Sequence, residues 1–430
     1  MKKSRTSRHL KEAPKPPTVS VQVPLPMLLS LEMARQSFLD VCISAGLEVL
    51  ARGMEEDRKT LCGTTKGKHN SERQAVRWGK TSSEVTLGGR RIPISRPRVR
   101  GVEEGEQSLP WFEWATERDP LNLRTLEEVA IGVSMRNYAR ALESLPTDVA
   151  ERAVSKSAVS RRFVALTKVQ LRRWLSRPLG DWDLRVVMID GVHFKDRILL
   201  ICLGIETDGT KHVLGLREGT TENATVCRSL LRDLIDRGLP SDRAMLFVID
   251  GGKGIHKAIV ETYGRLAKIQ RCQVHKKRNI LEHLPEERHA TVGRMINQAY
   301  LDTEDADLAL RQLKQLASSF EESYPSATAS VLEGLDETLT LKRLGIHGAL
   351  YKTLRSTNAL ENLNGTVAFH TRNVKRWRNG QMVQRWVAMA LTEAEKKFRR
   401  IRGCGAMDHL IAALDEHQRQ LELDNEEAIA

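Results

Sequence analysis

The stretch from residue 184 to residue 272 constrains the fold most, because short apolar runs alternate there with an amphipathic helical pattern. Five of these runs have the length and composition of strands bounded by turn residues: Leu184–Ile189, Ile198–Glu206, Lys211–Leu216, Ala244–Ile249 and Lys268–Cys272. A helix is predicted over Thr225–Arg237, where Leu230 and Leu234 lie on one side. Three consecutive strands followed by a helix and a further strand predict an α/β domain with a mixed sheet.

Two aspartates, Asp190 and Asp250, each directly follow a predicted apolar strand and precede a glycine. A strand end holds a carboxylate rigidly at the rim of a sheet, and the following glycine lets a ligand approach the backbone closely. Two such carboxylates on neighbouring strands can bridge hard divalent cations such as Mg²⁺. An Asp-Gly pair is also a common turn sequence, so an ordinary turn is the alternative at each position.

A third acid, Glu361, lies on a helix predicted from about Asn358 to His370. Asn358 and Glu361 have the spacing of a capping box, which is the structural alternative for this glutamate. Asn364 lies one turn further on the same helical face, so the helix can present an acid and an amide together to a metal or a phosphate. Three acids would offset the charge of two divalent ions. A pair of such ions activates the nucleophile and stabilises the leaving oxygen in phosphodiester chemistry.

The positive charge of the chain indicates a polyanionic partner. The formal net charge is +13 and the pI is about 9.5, and DNA or RNA is the usual partner of such a chain. A ribosome-associated or simply basic enzyme is the alternative. Ten basic residues are candidates for contacts with DNA: Lys156, Arg161, Arg162, Lys253, Lys276, Lys277, Arg278, Arg372, Lys375 and Arg376. Lys253 lies in Asp250-Gly-Gly-Lys-Gly254, which lacks the spacing of a P-loop and so excludes nucleotide hydrolysis by that motif.

The first 180 residues are predicted to form a basic arm followed by a DNA-binding region. Residues 1–22 are rich in basic residues and proline, and they are predicted to be disordered. Residues 23–180 contain a predicted helix over Leu28–Arg52 and a hairpin over Glu84–Ser95. The arginines around this hairpin fit either a solvated edge strand or a ribbon that contacts phosphates.

The stretch 123–175 has the pattern of several helices and is similar to a helix-turn-helix unit. Two short helices are predicted over Leu126–Val133 and Arg136–Leu145. The segment Ser155–Phe163 combines capping serines, small residues and basic side chains, which is typical of the start of a recognition helix. An ordinary basic amphipathic helix fits the same pattern.

The rest of the chain is predicted to be a core interrupted by helices. Residues 181–285 hold the first part of this core, 286–350 a helical insertion, 351–405 the end of the core, and 406–430 a C-terminal helix with an acidic tail. A helix is predicted over Gln381–Arg402. The cysteines are scattered without a framework spacing, which suits a reducing compartment. No apolar run is long enough to span a bilayer, so we expect a cytoplasmic protein with no membrane partner.

Two local motifs have more than one interpretation. Cys272-Gln-Val-His275 is similar to half of a zinc site, but no second pair of ligands follows at a suitable spacing. The alternative is that both side chains pack or hydrogen-bond beside the predicted acidic site. Trp377 lies among basic residues, as in sites that stack on unpaired bases, and core packing fits it equally well. Core packing is favoured for Trp386.

Together these motifs resemble the Mutator-type family of bacterial insertion-sequence transposases. The matching stretches are Asp190-Gly191, Asp250-Gly-Gly-Lys-Gly254, Cys272-Gln-Val-His275, Glu361-Asn-Leu-Asn364, Arg77-Trp78-Gly79 and Gly88-Gly-Arg-Arg91. The likeness covers roughly residues 55–405. Each motif alone is weak, whereas the whole set is quite specific.

The resemblance implies a ribonuclease-H-like catalytic core interrupted by an all-helical insertion. It implies that Asp190, Asp250 and Glu361 form a DDE triad that binds two Mg²⁺ or Mn²⁺ ions. Cys272 and His275 would be an accessory pair with a positioning role. The N-terminal region would bind the terminal inverted repeats of the element, and at least a homodimer is expected on DNA.

The activity that the resemblance implies is cleavage at the ends of an insertion sequence. The freed 3′-hydroxyl would then attack double-stranded target DNA. Two alternatives use the same fold: a domesticated transposase that acts as a DNA-binding regulator, and a structure-specific nuclease. The presence of all three acids favours an enzyme over a binding protein.

Overall fold

The computed structural model describes residues 28–63, 75–87, 90–101, 105–117, 126–129, 133, 138, 156–194, 197–219 and 223–429. The chain divides into two compact units. The first comprises residues 1–121 and 142–154, and the second comprises residues 122–141 and 155–430. Among the helices in the described ranges, none is both long and apolar enough to cross a membrane.

The described residues of the first unit form a three-stranded antiparallel sheet and two helices. Its elements are α1 (Leu28–Cys62), β1 (Ala75–Leu87), β2 (Arg90–Gly101), β3 (Gly105–Gln107) and α2 (Pro110–Glu117), with the strand order β1-β2-β3. The predicted hairpin is confirmed, because β1 and β2 pair antiparallel from Ala75 opposite Gly101 to Leu87 opposite Arg90. Its predicted turn residues, Gly88-Gly89, lie outside the described residues.

The apolar cluster of the first unit explains why α1 is longer than predicted. The sequence pattern ends the helix at Arg52, whereas α1 continues to Cys62. Met54 and Cys62 pack in one cluster with Val85 of β1 and Val99 of β2. Burial of these side chains on the sheet stabilises the additional turns, because most helix stability in proteins comes from tertiary packing.

The second unit is built on a five-stranded mixed sheet. Its strands are β4 (Leu184–Phe194), β5 (Arg197–Glu206), β6 (Lys211–Gly219), β7 (Met245–Ile249) and β8 (Ala267–Arg271), in the order β6-β5-β4-β7-β8. β4, β5 and β6 pair antiparallel, whereas β7 and β8 run parallel to β4. The predicted mixed α/β sheet is therefore confirmed.

The second unit also contains helices, some of which cover the two faces of this sheet. In chain order they are α3 (Lys156–Leu175), α4 (Ala224–Asp236), α5 (Lys253–Tyr263), α6 (Gln273–Glu282), α7 (Glu286–Asn297), α8 (Ala306–Ser318), α9 (Pro325–Leu332), α10 (Thr340–Arg343), α11 (Gly348–Leu354), α12 (Asn358–Thr371), α13 (Gly380–Glu395) and α14 (Met407–Ile429). Val187 and Ile249 pack on one face against α4 and α5. Val186 and Met188 pack on the other face against α10 to α14. Both faces of the central strands are buried, which accounts for their continuous apolar runs.

Between α6 and α12 the chain is helical, as the sequence predicts. α7, α8 and α9 form a separate apolar cluster that includes Ile296, Leu313 and Val331. A π-helical segment, Gln298–Asp302, follows α7 directly. Each amphipathic helix of this group has one apolar face to bury, so the three helices share a core of their own.

The helix α3 begins at Lys156, close to the predicted start, and packs on α13. The rings of Phe163 and Trp386 have centroids 4.7 Å apart, and Arg385 Nη1 donates to Thr167 Oγ1 at 3.2 Å. Trp386 is buried, which confirms the core interpretation of this residue. Of the two short helices predicted before α3, residues 126–129 are helical, and most of both predicted ranges lies outside the described residues.

The helix predicted over Gln381–Arg402 is shorter in the structure. α13 ends at Glu395, and the basic run that follows is not helical. The backbone N–H of Ile401 donates to Gly209 O at 3.0 Å, and the Ile401 side chain is buried in the core. This tertiary contact redirects the chain where local propensity alone favours a helix.

Candidate active site

Asp190 lies inside a strand and not at its end, which corrects the prediction from the sequence. β4 continues to Phe194, because it pairs with β5 as far as Phe194 opposite Arg197. The neighbouring β7 is shorter and ends at Ile249, which pairs with Ile189. Asp190 therefore lies level with the end of β7, at the rim of the parallel half of the sheet.

Asp250 directly follows β7, so the parallel register places it beside Asp190 at the same rim. Its Oδ1 accepts a hydrogen bond from Gly252 N at 2.9 Å. Gly251 has a φ of 106°, a backbone conformation that residues with a side chain rarely adopt. The glycine after Asp250 is thus required by the turn that leads into α5.

The carboxyl group of Asp190 is buried, with 8% of the residue exposed. Burial raises its pKa to about 6, and the negative charges of Asp250 and Glu361 act in the same direction. A hydrogen bond from Gly191 N at 2.9 Å and the nearby His275 offset part of this effect. Three acids far apart in the sequence are therefore close enough to influence one proton. Such a concentration of negative charge is unfavourable without a cation.

Glu361 reaches this region from the first turn of α12. Side chains alternate along β4, so Asp190 projects to the same sheet face as Met188. That face packs on α12, where Leu360 and Leu363 are buried beside Met188 in one cluster. The packing of α12 on this face thus accounts for the proximity of Glu361 to Asp190.

The capping box proposed for Glu361 is not formed. α12 begins at Asn358, and its N-terminus has no side-chain cap. Glu361 Oε1 instead lies 3.4 Å from His275 Nε2, and this buried oxygen has no hydrogen-bond partner among the described residues. The buried Oδ1 of Asn364 also has none within the same part of the chain. Two buried oxygens on one helical face that lack a hydrogen bond are expected to accept a ligand.

Cys272 and His275 lie beside the three acids and contact each other. The Cys272 side chain accepts a hydrogen bond from His275 N at 3.5 Å at the start of α6. Burial would raise the pKa of the Cys272 thiol, but hydrogen bonds from His275 and Thr357 outweigh it and lower that pKa. A hydrogen bond between the His275 imidazole and the Cys272 side chain, together with the charges of Asp190 and Asp250, raises the pKa of His275 to about 9, although burial acts in the opposite direction. A protonated imidazole therefore faces the acids.

The described residues contain no group of three or more His, Cys, Asp or Glu side chains arranged closely enough to hold a metal ion as they stand. Within those ranges, Cys272 and His275 therefore belong to no such group. The three acids are near one another, but they do not yet converge on one point.

The basic residues predicted to contact DNA differ widely in exposure. Lys253 is exposed over 91% of its side chain, 3.9 Å from Glu333 Oε1. Lys276 is buried, its Nζ donates to Glu333 O at 2.5 Å, and burial lowers its pKa to about 8. Lys277 Nζ donates to Asn297 Oδ1 at 3.1 Å, whereas Arg278 is exposed. The buried position of Lys276 does not present it to DNA, because its ammonium group is directed into the protein.

The other predicted DNA contacts lie on α3 and after α12. There are six of them: Lys156, Arg161, Arg162, Arg372, Lys375 and Arg376. Arg162 is half-buried, and the other five are exposed. The guanidinium of Arg372 lies over the Phe369 ring, 4.3 Å from its centroid. Trp377 makes an edge-on contact with Phe194, with centroids 5.4 Å apart. Trp377 therefore packs against the protein core in this structure, and the adjacent basic side chains remain at the surface.

The arginines of the hairpin in the first unit are mostly paired with acids. Arg98 Nη2 lies 2.7 Å from Glu106 Oε2, and Arg96 Nη2 lies 3.2 Å from Glu106 Oε1. Arg100 is different, because its guanidinium lies 4.7 Å from the ring centroid of the exposed Trp78. The ion pairs fit the interpretation of an edge strand protected by charge, and phosphate contact by this hairpin stays a prediction.

Sequence reasoning missed one residue that contacts the acidic site. Arg271 Nη2 donates to the carbonyl oxygen of Gly251, the residue after Asp250, at 2.6 Å. Arg271 is the last residue of β8, and its pairing with Ile249 of β7 brings it there. The signal in the sequence was an arginine at a strand end next to the Cys272 motif, which predicts no particular contact by itself.

The sequence is similar to transposases of bacterial insertion sequences, the same family that the motifs resemble. The chain is 31% identical over 250 residues to a transposase for insertion sequence element IS6120 of Mycolicibacterium smegmatis, covering 57% of this chain and 75% of the relative. It is 28% identical over 355 residues to a transposase for element ISRM5 of Rhizobium meliloti, covering 81% and 86%. It is 25% identical over 356 residues to the IS256 transposase in transposon Tn4001 of Staphylococcus aureus, covering 80% and 87%. The family profile described as "Transposase, Mutator family" matches residues 30–401, and the chain therefore belongs to the Mutator family of transposases.

Proposed function

We propose that this transposase holds two Mg²⁺ or Mn²⁺ ions with Asp190, Asp250 and Glu361. With these ions it would cut DNA at terminal inverted repeats and join the freed 3′-hydroxyl to target DNA. The observation that carries the proposal is the placement of the three acids. Asp190 and Asp250 are level at the rim of the parallel strands, and Glu361 is near enough to influence the pKa of Asp190.

The chemistry of the available oxygens fits such ions. Divalent magnesium and manganese favour carboxylate and carbonyl oxygens. Asp190 is buried near two other acids, and Glu361 Oε1 and Asn364 Oδ1 are buried oxygens without a hydrogen-bond partner among the described residues. When bound, the metal pair would activate the attacking oxygen and stabilise the leaving one.

The neighbouring residues have proposed roles in orienting this site. His275 lies 3.4 Å from Glu361 and would hold that carboxylate in place through its positive charge. Cys272 would in turn fix His275, since its side chain hydrogen-bonds both the backbone N–H and the imidazole of His275. This arrangement supports the positioning role that the family resemblance implies for the pair.

The proposed fold of the catalytic core is ribonuclease-H-like. Support comes from the mixed sheet of the second unit, in which three antiparallel strands precede two parallel ones. Residues 181–285 and 351–405 would form this core, and the helices of residues 286–350 would be the insertion. The region before residue 180 would recognise the DNA ends, with α3 presenting Lys156 and Arg161 from the core unit.

Double-stranded DNA is the proposed partner. The net charge of +13 favours binding to phosphates, and exposed basic residues such as Lys253, Arg278 and Lys375 lie in the same unit as the three acids. Two ends of an element must be brought together for transposition, so we propose at least a homodimer on DNA.

A cleavage assay on a DNA fragment that carries the flanking terminal repeats tests the proposal. We expect cutting with Mg²⁺ or Mn²⁺, no cutting after chelation, and none with Asp190→Asn. A matched control is Asp208→Asn, which changes an Asp-Gly turn at the opposite end of the same sheet. Full cutting by Asp190→Asn in Mg²⁺ would contradict the proposed site. Specific repeat binding without any cutting would favour a regulator, and cutting without preference for the repeats would favour a nuclease.

A further inference from the structure

Arg271 connects the loop after Asp250 with the helical region that follows α9. Its Nη2 donates to Gly251 O at 2.6 Å, and its Nη1 donates to Glu333 O at 2.9 Å. The side chain is only 11% exposed. One guanidinium group therefore binds two backbone carbonyls that are far apart in the sequence.

Both carbonyls belong to turns that approach the guanidinium too closely for a side chain. A Cβ atom built on Gly251 would lie 2.5 Å from Arg271 Nη2, and one on Gly334 would overlap Nη1. Both glycines have positive φ values, 106° and 58°. The space around the arginine is therefore filled on two sides by backbone.

The hydrogen bond to Gly251 has a direct consequence for Asp250. The carbonyl of Gly251 and the N–H of Gly252 belong to the same peptide group, which is planar and rigid. Arg271 donates to the carbonyl oxygen of this peptide group. The N–H of the same group, from Gly252, donates to Asp250 Oδ1 at 2.9 Å. Fixing one end of the peptide fixes the direction of the donor at the other end.

The guanidinium is itself well supported. Gln270, its neighbour in β8, donates to Thr338 O at 2.9 Å, which ties this strand to the helical region. The carboxylates of Glu333 and Glu337 lie 4.0 Å and 3.8 Å from the Arg271 nitrogens. A planar fork with several donors can serve two carbonyls at once, which a lysine ammonium on a flexible stem cannot reproduce.

We propose that Arg271 is a positioning residue that fixes the Gly251–Gly252 peptide and thereby orients the Asp250 carboxylate for metal. This inference rests on the proposed role of Asp250. Residues that orient metal ligands in this indirect way typically contribute about tenfold to hundredfold in metal affinity.

The test is a titration of the full chain with Mn²⁺ in the absence of DNA. The electron paramagnetic resonance signal of free Mn²⁺ measures how much of the metal is bound. We expect Arg271→Ala to raise the dissociation constant for Mn²⁺ about tenfold or more, and Arg271→Lys to raise it less. Added guanidinium ion is expected to restore part of the affinity of Arg271→Ala. The metal concentration that gives half-maximal DNA cleavage is expected to rise in parallel.

The matched control is His256→Ala. His256 Nε2 lies 2.6 Å from Glu337 Oε1, so this residue of α5 also contacts the helical region that follows α9. It does not hold the Gly251–Gly252 peptide. We expect its Mn²⁺ affinity to stay within about twofold of the unchanged protein. An equal loss in both variants would overturn the inference, since the effect would then come from docking of the helical region.

Asp250→Ala separates this inference from the proposed function. If Asp250→Ala loses Mn²⁺ binding while Arg271→Ala binds as the unchanged protein does, the inference is wrong and the metal site stands. If Asp250→Ala also binds Mn²⁺ normally, the proposed metal site itself fails. Should Arg271→Ala fail to fold, judged by its circular dichroism, Arg271→Lys decides the matter: unchanged affinity in that variant would overturn the inference.

Discussion

The arginines of the hairpin in the first unit are paired with an acid, whereas the acids at the sheet rim of the second unit lie next to one another. In the hairpin, Glu106 is shared by Arg96 and Arg98, so opposite charges neutralise each other on one surface. At the rim, Asp190 is buried near Asp250 and Glu361, and the positive charge of the nearby His275 lowers the pKa of Asp190 only in part. Paired charges of the first kind serve structure. Like charges concentrated in a buried place indicate a site that awaits a cation.

The largest expected effect is at Glu361. Replacing it with glutamine, Glu361→Gln, removes one negative charge from the rim and keeps the size of the side chain. We expect cleavage of terminal-repeat DNA to fall by about three orders of magnitude or more, as when a central catalytic residue is removed. The measurement is the single-turnover cleavage rate, with a gel shift to verify that DNA binding remains. Glu393→Gln is the control, because Glu393 pairs with Lys396 outside the site. Comparable cleavage by both variants would remove Glu361 from the site.

The next expected effect is a gain in stability, in contrast to the loss of cleavage expected at Glu361. Asp190→Asn removes a buried negative charge that lies near two others, so the metal-free protein is expected to become more stable. Single stabilising substitutions commonly add about 0.5–2 kcal/mol, and we expect a gain in this range. Thermal unfolding with a chelator present at pH 8 measures this. A lower melting temperature would show that the negative charges at the rim do not destabilise the metal-free protein.

These effects follow from contacts that the sequence predicts only in part. The strands of the second unit are predicted to within a few residues, because apolar runs such as Ala244–Ile249 are buried on both faces. The sequence pattern predicts the end of β4 at Ile189, since Asp190-Gly191 has the composition of a turn. The actual end depends on pairing with β5, which continues to Phe194.

The contacts around the site were less predictable, because they join distant parts of the chain. Lys276 belongs to a basic run that is typical of solvated surface, yet its ammonium group donates to the backbone of Glu333. Arg271 binds carbonyls on either side of it in the sequence, at Gly251 and Glu333. No local pattern specifies such partners, since they are set by how the helices pack on the sheet.

A smaller effect is expected at the exposed pair of the first unit. Arg100→Ala removes the guanidinium that lies over Trp78 and is expected to weaken DNA binding several-fold. Loss of one phosphate contact should also reduce the slope of log affinity against log salt by about one. Gel shifts over a series of salt concentrations measure both quantities. An unchanged slope would show that this arginine does not contact phosphate.

The smallest effect is expected at Glu106. Glu106→Gln removes the negative charge shared by Arg96 and Arg98, so both arginines become available to a polyanion. We expect slightly tighter DNA binding at low salt and little change in melting temperature, because exposed ion pairs contribute little to stability. Weaker binding would indicate that the paired arrangement itself is the surface that DNA recognises.

Crystals soaked in Mn²⁺ test the central claim most directly, by anomalous diffraction at the rim of the five-stranded sheet. Metal is expected between the carboxylates of Asp190, Asp250 and Glu361, with Asp250 still bound to the Gly252 N–H. The account is contradicted if no metal is found there, or if Glu361 does not contact a Mn²⁺ ion that the two aspartates bind.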